Sequence, residues 1–225
     1  MNTPPFLFGL FLVEVCAIYF LSHHLLNTAY RLLRKVISSD SAIIWLVALL
    51  YLPGTILHEL SHYFFALLLA MHPEEVSILP HIERNHIQLG HVLYRKHRSD
   101  FIRPIIVGIA PFFGAIAALW TLQSFHLFPG SVWWQTALFG YLILAITANM
   151  FSSKQDLIDL VYVVPIFLVA GLVLYLFPVQ INARFAATCI SALQSFVQTL
   201  QVPLLFSLSV HGILIVIIKI ILSFL

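Results

Sequence analysis

Long apolar stretches alternate with shorter polar stretches along the 225 residues of the chain. A helix needs about 20 consecutive apolar residues to cross the hydrocarbon core of a bilayer, and six stretches approach that length. The candidate spans are residues 5–21, 42–71, 105–122, 132–150, 160–177 and 204–225. The pattern therefore predicts an all-α polytopic membrane protein with about six transmembrane helices, forming a single membrane domain over residues 1–225.

The polar connections carry further structural signals. Residues 23–41 place basic side chains among apolar ones, which predicts a helix lying at the membrane interface. Residues 179–201 repeat apolar side chains at helical intervals with polar residues between them, which predicts an amphipathic helix. The second span would be about 45 Å long if wholly helical, which is longer than the hydrocarbon core. The span must therefore tilt or break, and its Pro53-Gly54 pair predicts the position of a break.

The largest polar segment covers residues 72–103. Within it, residues 76–78 and 87–89 alternate in polarity on either side of a turn candidate, Arg84-Asn85. This pattern predicts a short β-hairpin-like insertion after the second span. An exposed strand edge can bind an extended substrate through main-chain hydrogen bonds. The alternative is an ordinary connection on the membrane surface.

Composition supports a membrane location and excludes several functional classes. Hydrophobic residues make up 61% of the chain and charged residues 9%, as in integral membrane proteins surrounded by a lipid bilayer. The formal charge of +2 is too small to indicate a nucleic-acid partner. The two cysteines, Cys16 and Cys189, lie in apolar surroundings and indicate neither a disulfide framework nor a thiolate metal site.

One polar cluster interrupts the second span. Between Leu46 and Met71 the single formal charge is Glu59, and it is flanked by His58 and His62. Histidines four residues apart lie on one face of a helix, where both imidazoles can bind the same Zn²⁺ while the intervening Glu acts as general base. The alternative is a set of buried histidines that hydrogen-bond between helices, which would require several matched partners.

A catalytic zinc normally takes a third protein ligand. The extended metzincin pattern would place a Gly at position 65 and a His at 68, where this chain has Phe65 and Leu68, so that class is excluded. No Glu follows Glu83, and the later carboxylates are Asp100, Asp156 and Asp159. Asp100 lies in a basic cluster typical of solvated charges. In a six-span topology, residues 72–103 and 151–159 share one side, which favours the segment containing Asp156.

These residues resemble the site-2 protease family of intramembrane zinc metalloproteases. The likeness covers about residues 58–160: an HExxH motif in a membrane helix, a hairpin-like segment, a span containing Gly and Pro, and an Asn-to-Asp element before a late span. The resemblance implies that Asp156 is the third zinc ligand and aligns Asn149 with the first position of the element. Because the element lacks the Pro and the Gly of the family pattern, Asp159 is the second choice.

The resulting hypothesis is a zinc-dependent intramembrane endopeptidase. His58, His62 and Asp156 would bind Zn²⁺, Glu59 would be the catalytic base, and Asn149 would position the substrate. The expected partner is a membrane-protein substrate, cleaved within its transmembrane segment. A slight excess of Lys and Arg favours the cytosolic side for the active site. Two alternatives are a non-catalytic scaffold or pseudoprotease and, with less support, a cation transporter.

Overall fold

The computed structural model describes residues 4–77, 81–83, 86–88, 91–94, 100, 102–151 and 182–225, together with scattered positions between 158 and 176. The protein is mostly helical. Its elements are α1 (Pro4–Val36), α2 (Asp40–Leu68), β1 (Pro73–Ser77), β2 (His81–Glu83), β3 (His86–Gln88), β4 (His91–Tyr94), α3 (Ile102–Gly108), α4 (Ala110–Ser124), α5 (Trp133–Ala148) and α6 (Ala183–Phe224).

Four helical stretches among the described residues are long and apolar enough to cross a membrane. They are Pro5–Val36, Asp40–Leu68, Ile102–Ser124 and Ala183–Phe224. Helix α5 is apolar but shorter, with 16 residues. Only scattered positions of the predicted span 160–177 are described, so the count of six is not confirmed. The long apolar helices indicate a membrane protein.

Helices α1 and α6 are longer than the sequence pattern predicts. Helix α1 continues to Val36, so most of the expected interfacial helix over 23–41 is its final part, because basic side chains are good helix formers and do not end a helix. Likewise, residues 183–224 form one helix of 42 residues that passes through Pro203. The amphipathic helix predicted over 179–201 and the last predicted span are therefore continuous.

Helix α2 also continues where a break was expected. It runs through Pro53 and Gly54 without interruption, so that prediction was wrong. Pro53 cannot donate to the carbonyl of Leu49, and side chains of the neighbouring α5 bond to the carbonyls of the next two residues, Leu50 and Tyr51. The hydroxyl of Tyr141 donates to the carbonyl of Leu50 at 2.8 Å. A neighbouring helix that bonds to the turn before a proline helps a membrane helix to tolerate it.

The polar segment after α2 forms two short antiparallel strand pairs. Strands β2 and β3 pair with Glu83 opposite His86, which confirms a hairpin around positions 84–85. Strand β1, which contains residues 76 and 77, pairs with β4, where Val76 lies opposite Val92.

The larger of two apolar clusters in the described residues packs the helices of the bundle together. Helices α1, α4, α5 and α6 all contribute to it. Its most buried side chains are Ile18, Leu119, Ile143, Leu200 and Leu204. Helix α2 packs against α4 and α5, which places the HExxH motif between these two helices.

Candidate metal centre

The two histidines of the motif lie side by side on α2. His58 is buried, with 5% of its surface exposed, and His62 is partly buried one turn later. Their rings meet edge to face with centroids 4.8 Å apart, and the two Nε2 atoms are separated by 3.2 Å. The helical spacing therefore brings one nitrogen of each ring to a common point.

The other nitrogen of each ring is held by a main-chain carbonyl. The Nδ1 atom of His58 lies 2.7 Å from the carbonyl oxygen of Asn149. The Nδ1 atom of His62 lies 2.8 Å from the carbonyl oxygen of Val107. Because a carbonyl oxygen can only accept, both Nδ1 atoms must carry the hydrogen. In the neutral rings both Nε2 atoms therefore carry lone pairs, and these lone pairs are directed towards the same region.

Each carbonyl is available for a specific local reason. In a continuous helix the carbonyl of Val107 would accept from the N–H of residue 111. That residue is Pro111, which has no N–H, and the chain is broken there into α3 and α4. Asn149 is the residue that ends α5, where carbonyl groups lack partners within the helix. One proline and one helix end thus supply the two acceptors.

Two glycines allow the helices to approach closely enough for these bonds. A Cβ on Gly54 of α2 would collide with the main-chain carbonyl of Ala145 in α5, and a Cβ on Gly114 of α4 would collide with the hydroxyl of Ser61 in α2. Small residues at such contacts are typical of packed membrane helices. The site depends on these two close contacts because Asn149 ends α5 and Val107 lies in α3, next to α4. Moving α5 or α4 away from α2 would move these carbonyl oxygens away from the histidines.

The geometry fits a tetrahedral zinc ion held through Nε2. Two ligand nitrogens, each about 2.0–2.1 Å from a tetrahedral zinc, lie about 3.3 Å apart, which is close to the observed 3.2 Å. Ligand histidines in metal sites commonly donate their second N–H to a carbonyl or carboxylate, which fixes the ring and its tautomer. Both histidines meet this requirement.

The third ligand cannot be assigned from the residues described. Among them, no group of three or more His, Cys, Asp or Glu side chains is arranged to hold a metal ion. Asp156 and Asp159 both lie outside the described residues. Asp100 accepts hydrogen bonds from the main chain and the side chain of Arg103.

The segment that carries the two aspartates begins close to the histidines. The residue in contact with His58 is Asn149, and the buried Met150 and Phe151 follow it. Asp156 comes seven positions after Asn149 in the sequence, and an extended chain spans at most about 3.3–3.6 Å per residue. Chain length therefore allows Asp156 to reach the histidine pair.

The remaining predicted site residues, Glu59 and Asn149, also lie in this region. Glu59 follows His58 directly in the sequence. Its side chain is buried, with 5% of its surface exposed. The side-chain amide of Asn149 donates to the carbonyl of Ala145 at 2.8 Å and to that of Tyr51 at 3.5 Å. Its side-chain oxygen accepts from Thr55 at 3.4 Å. These contacts join α5 to α2, and the substrate-positioning role of Asn149 stays a prediction.

Sequence reasoning missed Val107, and it assigned Gly54 to a break instead of a packing contact with α5. A main-chain acceptor leaves no signal in its own residue type, but Pro111 marks the carbonyl four residues before it as available. Comparison of the chain with protein-family models, curated proteins and solved structures gave no match.

Proposed function

We propose that this protein is a zinc-dependent intramembrane endopeptidase that cleaves transmembrane segments of other membrane proteins. The observation that carries the proposal is the pair of Nε2 atoms on His58 and His62, 3.2 Å apart, on rings whose Nδ1 atoms both face carbonyl oxygens. Their position in a long apolar helix favours a substrate that is itself in the membrane.

The two carbonyl bonds disfavour a direct Nε2–H to Nε2 hydrogen bond between the rings. In such a bond, one Nε2–H would donate to the other Nε2. That arrangement would require the donating ring either to give up its Nδ1 hydrogen, and with it the bond to the carbonyl, or to become a cation. Two neutral rings that keep both carbonyl bonds have lone pairs facing each other, which is favourable when a cation lies between them. Zn²⁺ can bind both Nε2 lone pairs while both Nδ1 hydrogens stay bonded to their carbonyl oxygens.

The residues have distinct roles in this proposal. His58, His62 and Asp156 would hold the zinc, with Asp159 as the second choice. When bound, zinc would act as a Lewis acid that polarises the scissile carbonyl and lowers the pKa of a water molecule. The Glu59 carboxylate would take a proton from that water and deliver it to the leaving amine. We propose that the active site opens towards the cytosolic side of the membrane. The strand pairs β1–β4 and β2–β3 would bind the substrate in an extended form.

The first test is metal content. Purified protein is expected to carry zinc in a 1:1 ratio by elemental mass spectrometry, and His58→Ala should lose it. His23→Ala is the matched control, because His23 is an exposed histidine whose Nδ1 atom also faces a helix carbonyl. Equal zinc content in all three proteins would contradict a metal site at His58.

The second test separates metal binding from catalysis. Glu59→Gln should keep the zinc and abolish cleavage when the protein is reconstituted in liposomes with tagged single-span membrane proteins and the fragments are identified by mass spectrometry. Normal cleavage by Glu59→Gln would refute the mechanism. Stoichiometric zinc without any cleavage by the unmodified protein would favour the scaffold alternative, and ion flux across the liposomes would favour the transporter.

A further inference from the structure

A second buried polar cluster joins α6 to α5. His211 and Ser207 of α6 are 1% and 0% exposed, and Thr147 of α5 is 1% exposed. The hydroxyl oxygens of Thr147 and Ser207 are 2.7 Å apart, and the Ser207 hydroxyl lies 3.2 Å from Nδ1 of His211. Burying polar side chains in membrane helices raises the free energy of the folded protein, so such side chains are by default candidates for a functional role.

The direction of each hydrogen bond follows from the acceptors at both ends. Nδ1 of His211 lies 2.8 Å from the carbonyl oxygen of Ser207, so Nδ1 carries the hydrogen. The Thr147 hydroxyl lies 2.8 Å from the carbonyl oxygen of Ile143 and donates to it. The Ser207 hydroxyl is therefore left to donate to Thr147. The single Nδ1 hydrogen of His211 is shared between the carbonyl oxygen and the hydroxyl oxygen of Ser207. Every donor in the chain His211, Ser207, Thr147 has a defined acceptor.

This chain ends in the part of α5 that supports the metal centre. Thr147 lies in the last turn of α5, two positions before Asn149, whose carbonyl accepts from His58. The same turn continues through bonds from the N–H of Asn149 to Ile146 and from the N–H of Met150 to Thr147. Fixing Thr147 against α6 therefore restrains the main chain that presents the carbonyl to His58.

We propose that His211 and Ser207 are positioning residues for the metal centre. They act through Thr147 on the end of α5, and so on the orientation and tautomer of the His58 ring. The orienting effect on His58 does not depend on the proposed function. Its relevance to catalysis does rest on that function. Partners that orient a ligand histidine typically change metal affinity by about 10–100-fold when removed, so an effect at the lower end of that range is expected.

The test uses variants that remove, restore or spare one hydrogen-bond donor. Ser207→Ala and His211→Leu remove a donor, and His211→Asn restores an N–H group close to the position of Nδ1. Ser209→Ala is the matched control, because Ser209 is an exposed serine on α6 whose hydroxyl also bonds to the carbonyl four residues earlier. Two readouts are used: the dissociation constant for Co²⁺ from its visible absorption, and the protonated Nδ1 signal of His58 in ¹⁵N NMR of the metal-free protein.

Ser207→Ala and His211→Leu are expected to weaken Co²⁺ binding about tenfold and to reduce the Nδ1–H signal of His58. His211→Asn and Ser209→Ala should match the unmodified protein. Equal His58 signals in all variants would overturn the inference, as would failure of His211→Asn to restore the signal lost in His211→Leu. If the unmodified protein binds no metal, the proposed function fails, and the NMR comparison still decides this inference.

Discussion

Gly54 of α2 lies so close to the main chain of Ala145 in α5 that a methyl group would collide with the Ala145 carbonyl. Gly54→Ala should therefore force the two helices apart and lower the free energy of unfolding by about 1–3 kcal/mol, as overpacking commonly does. It should also weaken zinc binding, because Asn149 would move away from His58. Both effects can be measured by denaturant unfolding in detergent and by metal titration.

Gly9→Ala is the control for that substitution, because nothing lies within 4 Å of the Cβ it would add. An alanine at an open helical position is neutral or stabilising. Gly54→Ala should thus lower the free energy of unfolding, whereas Gly9→Ala should not. A Gly54→Ala protein as stable as Gly9→Ala would contradict the close packing of α2 against α5.

Pro111→Ala tests the origin of the acceptor for His62. The new N–H at position 111 could bond to the carbonyl of Val107, in competition with Nδ1 of His62. Zinc affinity should fall about tenfold, the lower end of the range for partners of ligand histidines, as measured by competition with a chelator. Pro203→Ala adds an N–H within α6 and is the matched control. Equal affinities for both variants would mean that the proline does not keep the Val107 carbonyl available.

Asn149→Ala distinguishes a structural from a substrate-positioning role. The main-chain carbonyl that bonds His58 remains, but the side-chain bonds to Ala145, Tyr51 and Thr55 are removed. If these bonds orient the end of α5, the variant should bind zinc more weakly and unfold more easily. A substrate-positioning role predicts the opposite combination, with normal zinc affinity and stability but slower cleavage.

Asp156→Ala and Asp159→Ala identify the third ligand. Removing the true ligand should abolish stoichiometric zinc, because two histidines alone leave the protein one ligand short of a catalytic zinc site. The other variant should keep its zinc. Elemental analysis of the two purified proteins decides between them, and undiminished zinc in both would place the third ligand elsewhere in the chain.

The sequence was sufficient to predict the helical membrane architecture and the shared face of the two histidines, because both depend on periodicities within a single element. It was less informative about where helices end. The boundaries predicted between residues 21 and 23 and between residues 201 and 204 both lie inside continuous helices, α1 and α6. Neighbouring helices can stabilise such positions in the folded protein, and those neighbours are not apparent in the local sequence.

The main-chain partners of the two histidines could not be predicted for a different reason. Val107 and Asn149 contact the histidines through main-chain oxygens, and every residue type has such an oxygen. Asn149 was selected by family resemblance for its side chain, whereas its described contact with His58 is made by its main chain. Contacts between main chain and side chain depend on how the helices pack, which spacing within one helix does not determine.

The main-chain character of the two acceptors also affects how this site could diverge during evolution. A substitution at position 107 or 149 changes a side chain but leaves the carbonyl oxygen that bonds the imidazole. Ring orientation can therefore survive extensive change in the surrounding sequence, provided that the proline, the helix end and the close glycine contacts keep those oxygens in place. Distant proteins with the same orienting atoms would share little sequence around them, and they would be recognised by superposition of backbones.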